Sequence, residues 1–272
     1  MIKALDHVAL VVDDLDAAVA RYEALLGRAP NWRGADGGAH HAWFQLSNMA
    51  LDVIAPTGPG YTGDRVKARL GDAGEGIWAL AFTVDDMAET RHRLERVGVP
   101  STDARPIRAT HPDTGEKRYW TTSVAEPAAT HGTNIFLIEE APWPASPNTA
   151  DEAAAVSGLD HVVVRTPNPD RAAALYGARL GLDMRLDRSS EEWGTRLMFF
   201  RCGDLVVEVA HSLKAGVSDG PDSFWGLSWR VDDVNAANAR MKSADFGVSD
   251  VRPGRKPGTA VFTIRDAPAS VP

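Results

Sequence analysis

The chain has 272 residues, a formal net charge of -8 and a sequence pI near 5.5. That length supports one large or two ordinary domains, and the acidic balance argues against a nucleic-acid partner, because a polyanion needs a basic surface. The single cysteine, Cys202, excludes an internal disulfide and a cysteine zinc cluster. No apolar run reaches the ~18 residues of a membrane span and no secretory leader pattern opens the chain, so no membrane partner and a cytoplasmic location are expected.

In chain order, the apolar run Val8 to Val12 predicts a strand, and the Asp13-Asp14 pair after it supplies a helix cap. Leu15, Ala18, Val19, Tyr22, Leu25 and Leu26 keep helical spacing, and Gly27 ends that helix. Strands are predicted at Ala42 to Leu46 and Ala50 to Ile54, then Trp78 to Val84 opens a second unit, again followed by an aspartate pair. Tyr119 to Ser123, Asn134 to Ile138, Arg196 to Arg201, Leu205 to Ala210 and Val261 to Ile264 read as further strands. Thr57 to Gly63 and Arg105 to Gly115 carry glycine or proline and read as loops long enough to cover a cleft.

Internal repeats organise these elements. Leu5-Asp6-His7-Val8 recurs as Leu159-Asp160-His161-Val162, and the same offset carries Tyr22 to Tyr176 and Leu26-Gly27 to Leu180-Gly181. A weaker repeat places Val12-Asp13-Asp14, Val84-Asp85-Asp86 and Val231-Asp232-Asp233 in register. The expected architecture is α+β: four βαβββ modules forming two domains with cupped sheets. The first domain spans 1–140, with modules at 1–56 and 74–140; a linker covers 141–156, including the proline-rich Ala141 to Asn148; the second spans 157–272, with modules at 157–212 and 222–272. A fourth strand is expected to be missing from the last module.

The phrase Leu5-Asp6-His7-Val8-Ala9-Leu10-Val11-Val12, with Leu15-Asp16-Ala17-Ala18, Tyr22 and Leu26-Gly27 behind it, resembles the opening of vicinal oxygen chelate modules, the glyoxalase, bleomycin resistance and extradiol dioxygenase type. Leu159-Asp160-His161-Val162-Val163-Val164 resembles it again. The resemblance implies a cupped sheet holding a divalent metal (iron, manganese, nickel or zinc), with a histidine on the first strand of a module and a carboxylate on the last. It carries those roles to His7 and Asp52 in module one and to His161 and Glu208 in module three. Imidazole and carboxylate suit such ions, and open coordination positions let a substrate present two adjacent oxygens.

The equivalent positions elsewhere hold Ala79, Phe136 and Gly226, so modules two and four lack these ligands. That weakens a ring-cleaving dioxygenase reading. A complete ligand set requires modules one and three to face each other, bringing His7, Asp52, His161 and Glu208 together. Glu208 and His211 are the catalytic candidates, His211 as a proton shuttle. His41, Arg118 and Trp120 are the substrate-binding candidates; adjacent His40 and His41 point to opposite faces of a strand, so only one of them can serve, and Arg118 offers a planar fork to a carboxylate. Trp78, Trp225 and Trp229 fit either ligand stacking or core.

The leading expectation is a metal-dependent lyase or isomerase that enolises a small α-oxygenated metabolite. The alternative is a metal-free protein that binds or sequesters a small molecule. A homodimer is a further expectation, since an unpaired strand edge invites pairing with another chain.

Overall fold

The computed structural model describes residues 1–139 and 145–272. The first half contains β1 (Ile2–Val11), α1 (Leu15–Leu26), β2 (Trp32–Asp36), β3 (Ala39–Gln45), β4 (Ala50–Pro56), α2 (Tyr61–Ala73), β5 (Gly76–Val84), α3 (Met87–Arg96), β6 (Arg105–Thr110), β7 (Lys117–Val124) and β8 (Asn134–Glu139). Its strands close into a barrel in the order β1-β4-β3-β2-β6-β7-β8-β5. Each module is a four-stranded half of that barrel. The first strands of the two halves pair antiparallel, β1 with β5, and a single contact between Ala35 and Thr110 joins β2 to β6 on the far side. Within each half the first and last strands run parallel: Ala9 sits opposite Asp52, and Ala81 opposite Phe136.

The second half contains β9 (Val156–Arg165), α4 (Pro169–Ala173) continuing through a π-helical turn to Arg179, β10 (Asp183–Ser190), β11 (Thr195–Cys202), β12 (Leu205–Ser212), β13 (Ser223–Val231), α5 (Val234–Ser243), β14 (Arg252–Pro253) and β15 (Ala260–Val261). Here the sheet stays open, in the order β10-β11-β12-β9-β13, and β14 pairs only with β15. The strand expected over Val261 to Ile264 is therefore corrected: only Ala260–Val261 is strand, with an isolated bridge from Ile264 to Val248. Pro253 is the last residue of β14 and Pro257 lies in the turn before β15, and proline withholds the N–H groups that a longer ladder needs.

The helix caps follow the sequence closely. The Asp14, Asp86 and Asp233 side chains accept the N–H groups of Ala17, of Glu89, and of Asn235 and Ala236, while Asn168 does the same for α4. Gly27 ends α1 in the left-handed conformation at φ 65°, its N–H donating to Glu23.

Strand alternation divides the side chains into two sets. On β1 to β4, Val8, Leu10, Ala42, Phe44, Leu51 and Val53, with Val12 just past β1, pack on the side of Tyr22, Leu25 and Leu26 of α1. This outer layer is continuous with Val162, Val164, Val207, Val209, Met198 and Phe200 of the second sheet, so the two halves share one core. Buried aliphatic and aromatic side chains contribute roughly 1.5–3 kcal/mol each, and this seam carries many of them. Arg240 of α5 crosses it: its guanidinium donates to the Ala24 carbonyl, to Leu25 O at 2.8 Å and to Ala154 O at 3.2 Å.

Two stretches expected to be loops differ. Arg105–Thr110 is strand β6, paired with β7, and the Thr57 to Gly63 stretch leads straight into α2. Close backbone approach explains the second case. A Cβ on Gly60 would lie 2.2 Å from Gly37 O, one on Gly63 2.3 Å from Gly38 O, and one on Gly38 2.6 Å from Gly58 O. Only glycines let the 37–38 turn and the start of α2 nest this way. That contact swings Tyr61, Thr62 and Arg65 over the end of the barrel.

Candidate active site

The inward set of side chains lines a cavity inside the barrel. Its floor and walls are His7 and Ala9 of β1, His41 and Trp43 of β3, Asp52 and Ile54 of β4, Trp78 of β5, Trp120 and Thr122 of β7, and Phe136 and Ile138 of β8. Tyr61, Thr62 and Arg65 from α2, with Arg105 and Ile107 from β6, close the mouth, where an outer groove also bounded by Tyr61, Thr62, Arg105 and Ile107 begins.

The polar centre is a buried pair. His41 Nδ1 lies 3.0 Å from Asp52 Oδ2 and 3.1 Å from Oδ1, and both residues are about 95% buried, at 6% and 3% exposure. Burial opposes protonation of His41, but the Asp52 carboxylate at contact distance, aided by Asp36, outweighs it and holds the imidazole above its ordinary pKa. The other ring nitrogen, Nε2, is buried with no hydrogen-bond partner among the described residues. His7 lies nearby, its Nδ1 2.7 Å from Asp6 Oδ1 and its ring tilted against Trp43 at 4.7 Å between centroids. His40, one residue from His41, points outward and is exposed.

These donors do not fit the divalent metal that the resemblance implies. His41 Nδ1 already engages both oxygens of Asp52, the carboxylate such an ion would need. On the opposite half of the barrel the equivalent positions offer only carbon, from Ala79 and Phe136. Among the described residues no three His, Cys, Asp or Glu side chains are grouped to hold an ion. The expected four-residue set is corrected accordingly. Module one pairs with module two, not module three, so His7 and Asp52 face the barrel cavity while His161 and Glu208 stand on the separate open sheet. There His161 Nε2 is 3.6 Å from Glu208 Oε2 and its Nδ1 is 2.8 Å from Asp160. Burial raises the Glu208 pKa against the opposing pull of His161 and Arg255.

His211 is not brought to Glu208. Three residues apart on β12, they fall on opposite faces; His211 lies on the buried side with Val207 and Val209, its Nδ1 3.0 Å from Thr166 O. Of the other candidates, His41 and Trp120 line the cavity, whereas Arg118 lies outside its lining, with its guanidinium 5.6 Å from the Trp32 ring centre. Trp78 is a cavity wall and Trp225 is 43% exposed under Arg165. Sequence pattern does not single out Arg65 or Arg105, because α2 carries few buried apolar positions and β6 has little apolar alternation. The glycine spacing 58, 60 and 63 was the available signal.

Two βαβββ modules closed into one barrel around a cavity define the class of fold. The chain belongs to the Glyoxalase/Bleomycin resistance protein/Dioxygenase superfamily, whose family model matches residues 6–116 and 160–262. It is 34% identical over 103 residues to an ethylmalonyl-CoA/methylmalonyl-CoA epimerase of Cereibacter sphaeroides, covering 36% of this chain and 73% of that protein. A mutant 4-hydroxymandelate synthase from Streptomyces coelicolor shares the fold over 91% of this chain and 77% of its own, at 17% identity and a TM-score of 0.65. Methylmalonyl-CoA epimerase from Mycobacterium tuberculosis matches 52% of this chain and 90% of its own, at 26% identity and a TM-score of 0.43. Among the described residues no helix is long and apolar enough to cross a membrane.

Proposed function

We propose that the first barrel is the active site of an isomerase- or lyase-type enzyme that moves a proton next to a carbonyl group of a small α-oxygenated substrate. The observation that carries this is the buried His41–Asp52 pair with Nε2 of His41 left without a partner in an aromatic-walled cavity. In the neutral imidazole, Nδ1–H donates to Asp52 and Nε2 keeps its lone pair. Nε2 takes the proton from the carbon beside the carbonyl, and the C–H electron pair moves into the C–C bond as the carbonyl π pair moves onto oxygen. The imidazolium so formed is stabilised by Asp52 and returns the proton to the same carbon or, once the α-hydroxyl proton has passed to the enolate oxygen and the α-carbon has become the carbonyl, to the former carbonyl carbon. The elevated His41 pKa makes it the stronger base, and the aromatic walls exclude water from the charged intermediate. Similarity to a protein named as an epimerase supports the same class of step. No step is assigned to a metal, because the donor set does not fit one.

A second reading, metal-free binding or sequestration of a small molecule, is favoured by the four aromatic walls Trp43, Trp78, Trp120 and Phe136. One experiment separates the two. Chiral α-hydroxy and α-substituted carbonyl compounds are incubated with the enzyme in deuterium oxide and followed by proton NMR. Loss of the α-proton signal, abolished in His41→Gln, is expected. Binding without exchange across the set would replace the enzyme with the binding protein.

A further inference from the structure

Two arginines at the barrel mouth lack a counter-ion. Among the described residues neither Arg65 nor Arg105 has a carboxylate within ion-pair distance, although the chain as a whole is acidic. Both converge on one ring. The Arg105 guanidinium lies 3.5 Å above the Tyr61 ring centre, and the Arg65 guanidinium lies 5.3 Å from it, 5.4 Å from Trp78 and 5.7 Å from Phe136. Arg65 Nη1 also donates to the Tyr61 hydroxyl at 3.0 Å. Two like charges brought against one ring in a half-buried site repel each other, and among the described residues no carboxylate forms an ion pair with either. Stacking leaves the in-plane N–H edge of a guanidinium available, the edge that matches a carboxylate. Asp36 is the acid among the residues at this mouth; it already accepts the Thr62 hydroxyl at 2.6 Å.

We infer that Arg65 and Arg105 form a clamp for a substrate carboxylate, and that the substrate is a carboxylic acid with a flat apolar, aromatic body seated between Trp43, Trp78, Trp120 and Phe136. This deepens the proposed function and rests on its choice of cavity. The clamp places the carboxylate at the α2 and β6 rim, where the cavity meets the outer groove, and leaves the body directed toward the His41 side. It thereby fixes which end of the ligand enters first.

The test is isothermal titration of the full chain with benzoate, phenylacetate, cinnamate and phenylpyruvate, each beside its neutral amide. At least one acid is expected to bind about tenfold or more tightly than its amide, with affinity falling as salt rises. The preference should vanish in the double variant Arg65→Gln, Arg105→Gln at an unchanged melting temperature. Failure of every acid to bind at millimolar concentration, equal binding of acid and amide, or a preference that survives in the double variant would each overturn the clamp. His41→Gln should keep the preference while losing proton exchange. Carboxylate binding without exchange thus leaves the clamp standing and removes the catalytic reading, whereas exchange with no preference for acids does the reverse.

Discussion

His41 and Asp52 meet diagonally across neighbouring antiparallel strands, Nδ1 to Oδ2 at 3.0 Å, with both side chains almost wholly buried. A protonated imidazole here is held by the carboxylate, so its folded pKa exceeds the unfolded value of about 6.5. The stabilisation is then fully present below that unfolded pKa and is lost as pH rises through the folded one. Asp52→Asn should cost about 3–5 kcal/mol at the acid end, and the gap to the wild type should narrow as pH rises. Urea melts of both proteins between pH 5.5 and 9 check this; a pH-independent gap would show that the pair carries no charge.

Glu208 follows the same sign for a different reason. Its folded pKa is raised, chiefly by burial, so the protein is favoured where Glu208 is protonated and loses stability as pH rises through that value. Glu208→Gln should therefore melt a few degrees higher than the wild type at pH 8 and at nearly the same temperature at pH 4. A variant less stable at pH 8 would mean that the contact with His161 outweighs desolvation.

Arg240 holds the end of α1 to the second half through carbonyl groups at Ala24 and Leu25. Arg240→Ala leaves those carbonyls without their charged donor in a part-buried seam, at a cost of roughly 1.5–3 kcal/mol. The change should appear as a lower urea midpoint, and a separate early transition would mark the halves coming apart. An unchanged midpoint would assign the seam to apolar packing alone.

Gly60 has φ 152° and no room for a Cβ beside Gly37 O. Gly60→Ala should displace the start of α2, costing about 1–3 kcal/mol, and should weaken any ligand bound at Arg65. Thermal melting paired with titration calorimetry reads both effects; full retention of binding would show that α2 is not what shapes the mouth.

Metal content discriminates the donor sets. Protein purified without chelator should carry far less than one transition metal per chain, and His7→Ala or His161→Ala should not change the residual amount. Stoichiometric iron, manganese, nickel or zinc that is lost in either variant would overturn the fit argument.

Much of the fold was legible because it rests on local rules. The aspartate that follows a strand run caps α1, α3 and α5, Gly27 ends α1, and the alternation on β3 and β4 separates His41 and Asp52 from Ala42 and Val53. The duplicated Leu-Asp-His-Val phrase marked the two halves for the same reason, since both copies meet the same local strand environment. The short β2 and β6 were not legible. Each is half-exposed and has little apolar alternation, so only pairing in the barrel defines it.

The sequence by itself determined the modules, their caps and the residue types on each strand face, because those depend on neighbours a few positions apart. Which modules close on each other was decided only in three dimensions. Pairing β1 with β5 and joining β2 to β6 puts His7 and Asp52 in a barrel with Trp78, Trp120 and Phe136, and leaves His161 and Glu208 on an open sheet. The His41–Asp52 contact and the approach of Arg65 to Tyr61 and Trp78 likewise arise from strand register and from glycine backbones nesting, which no single stretch of sequence encodes.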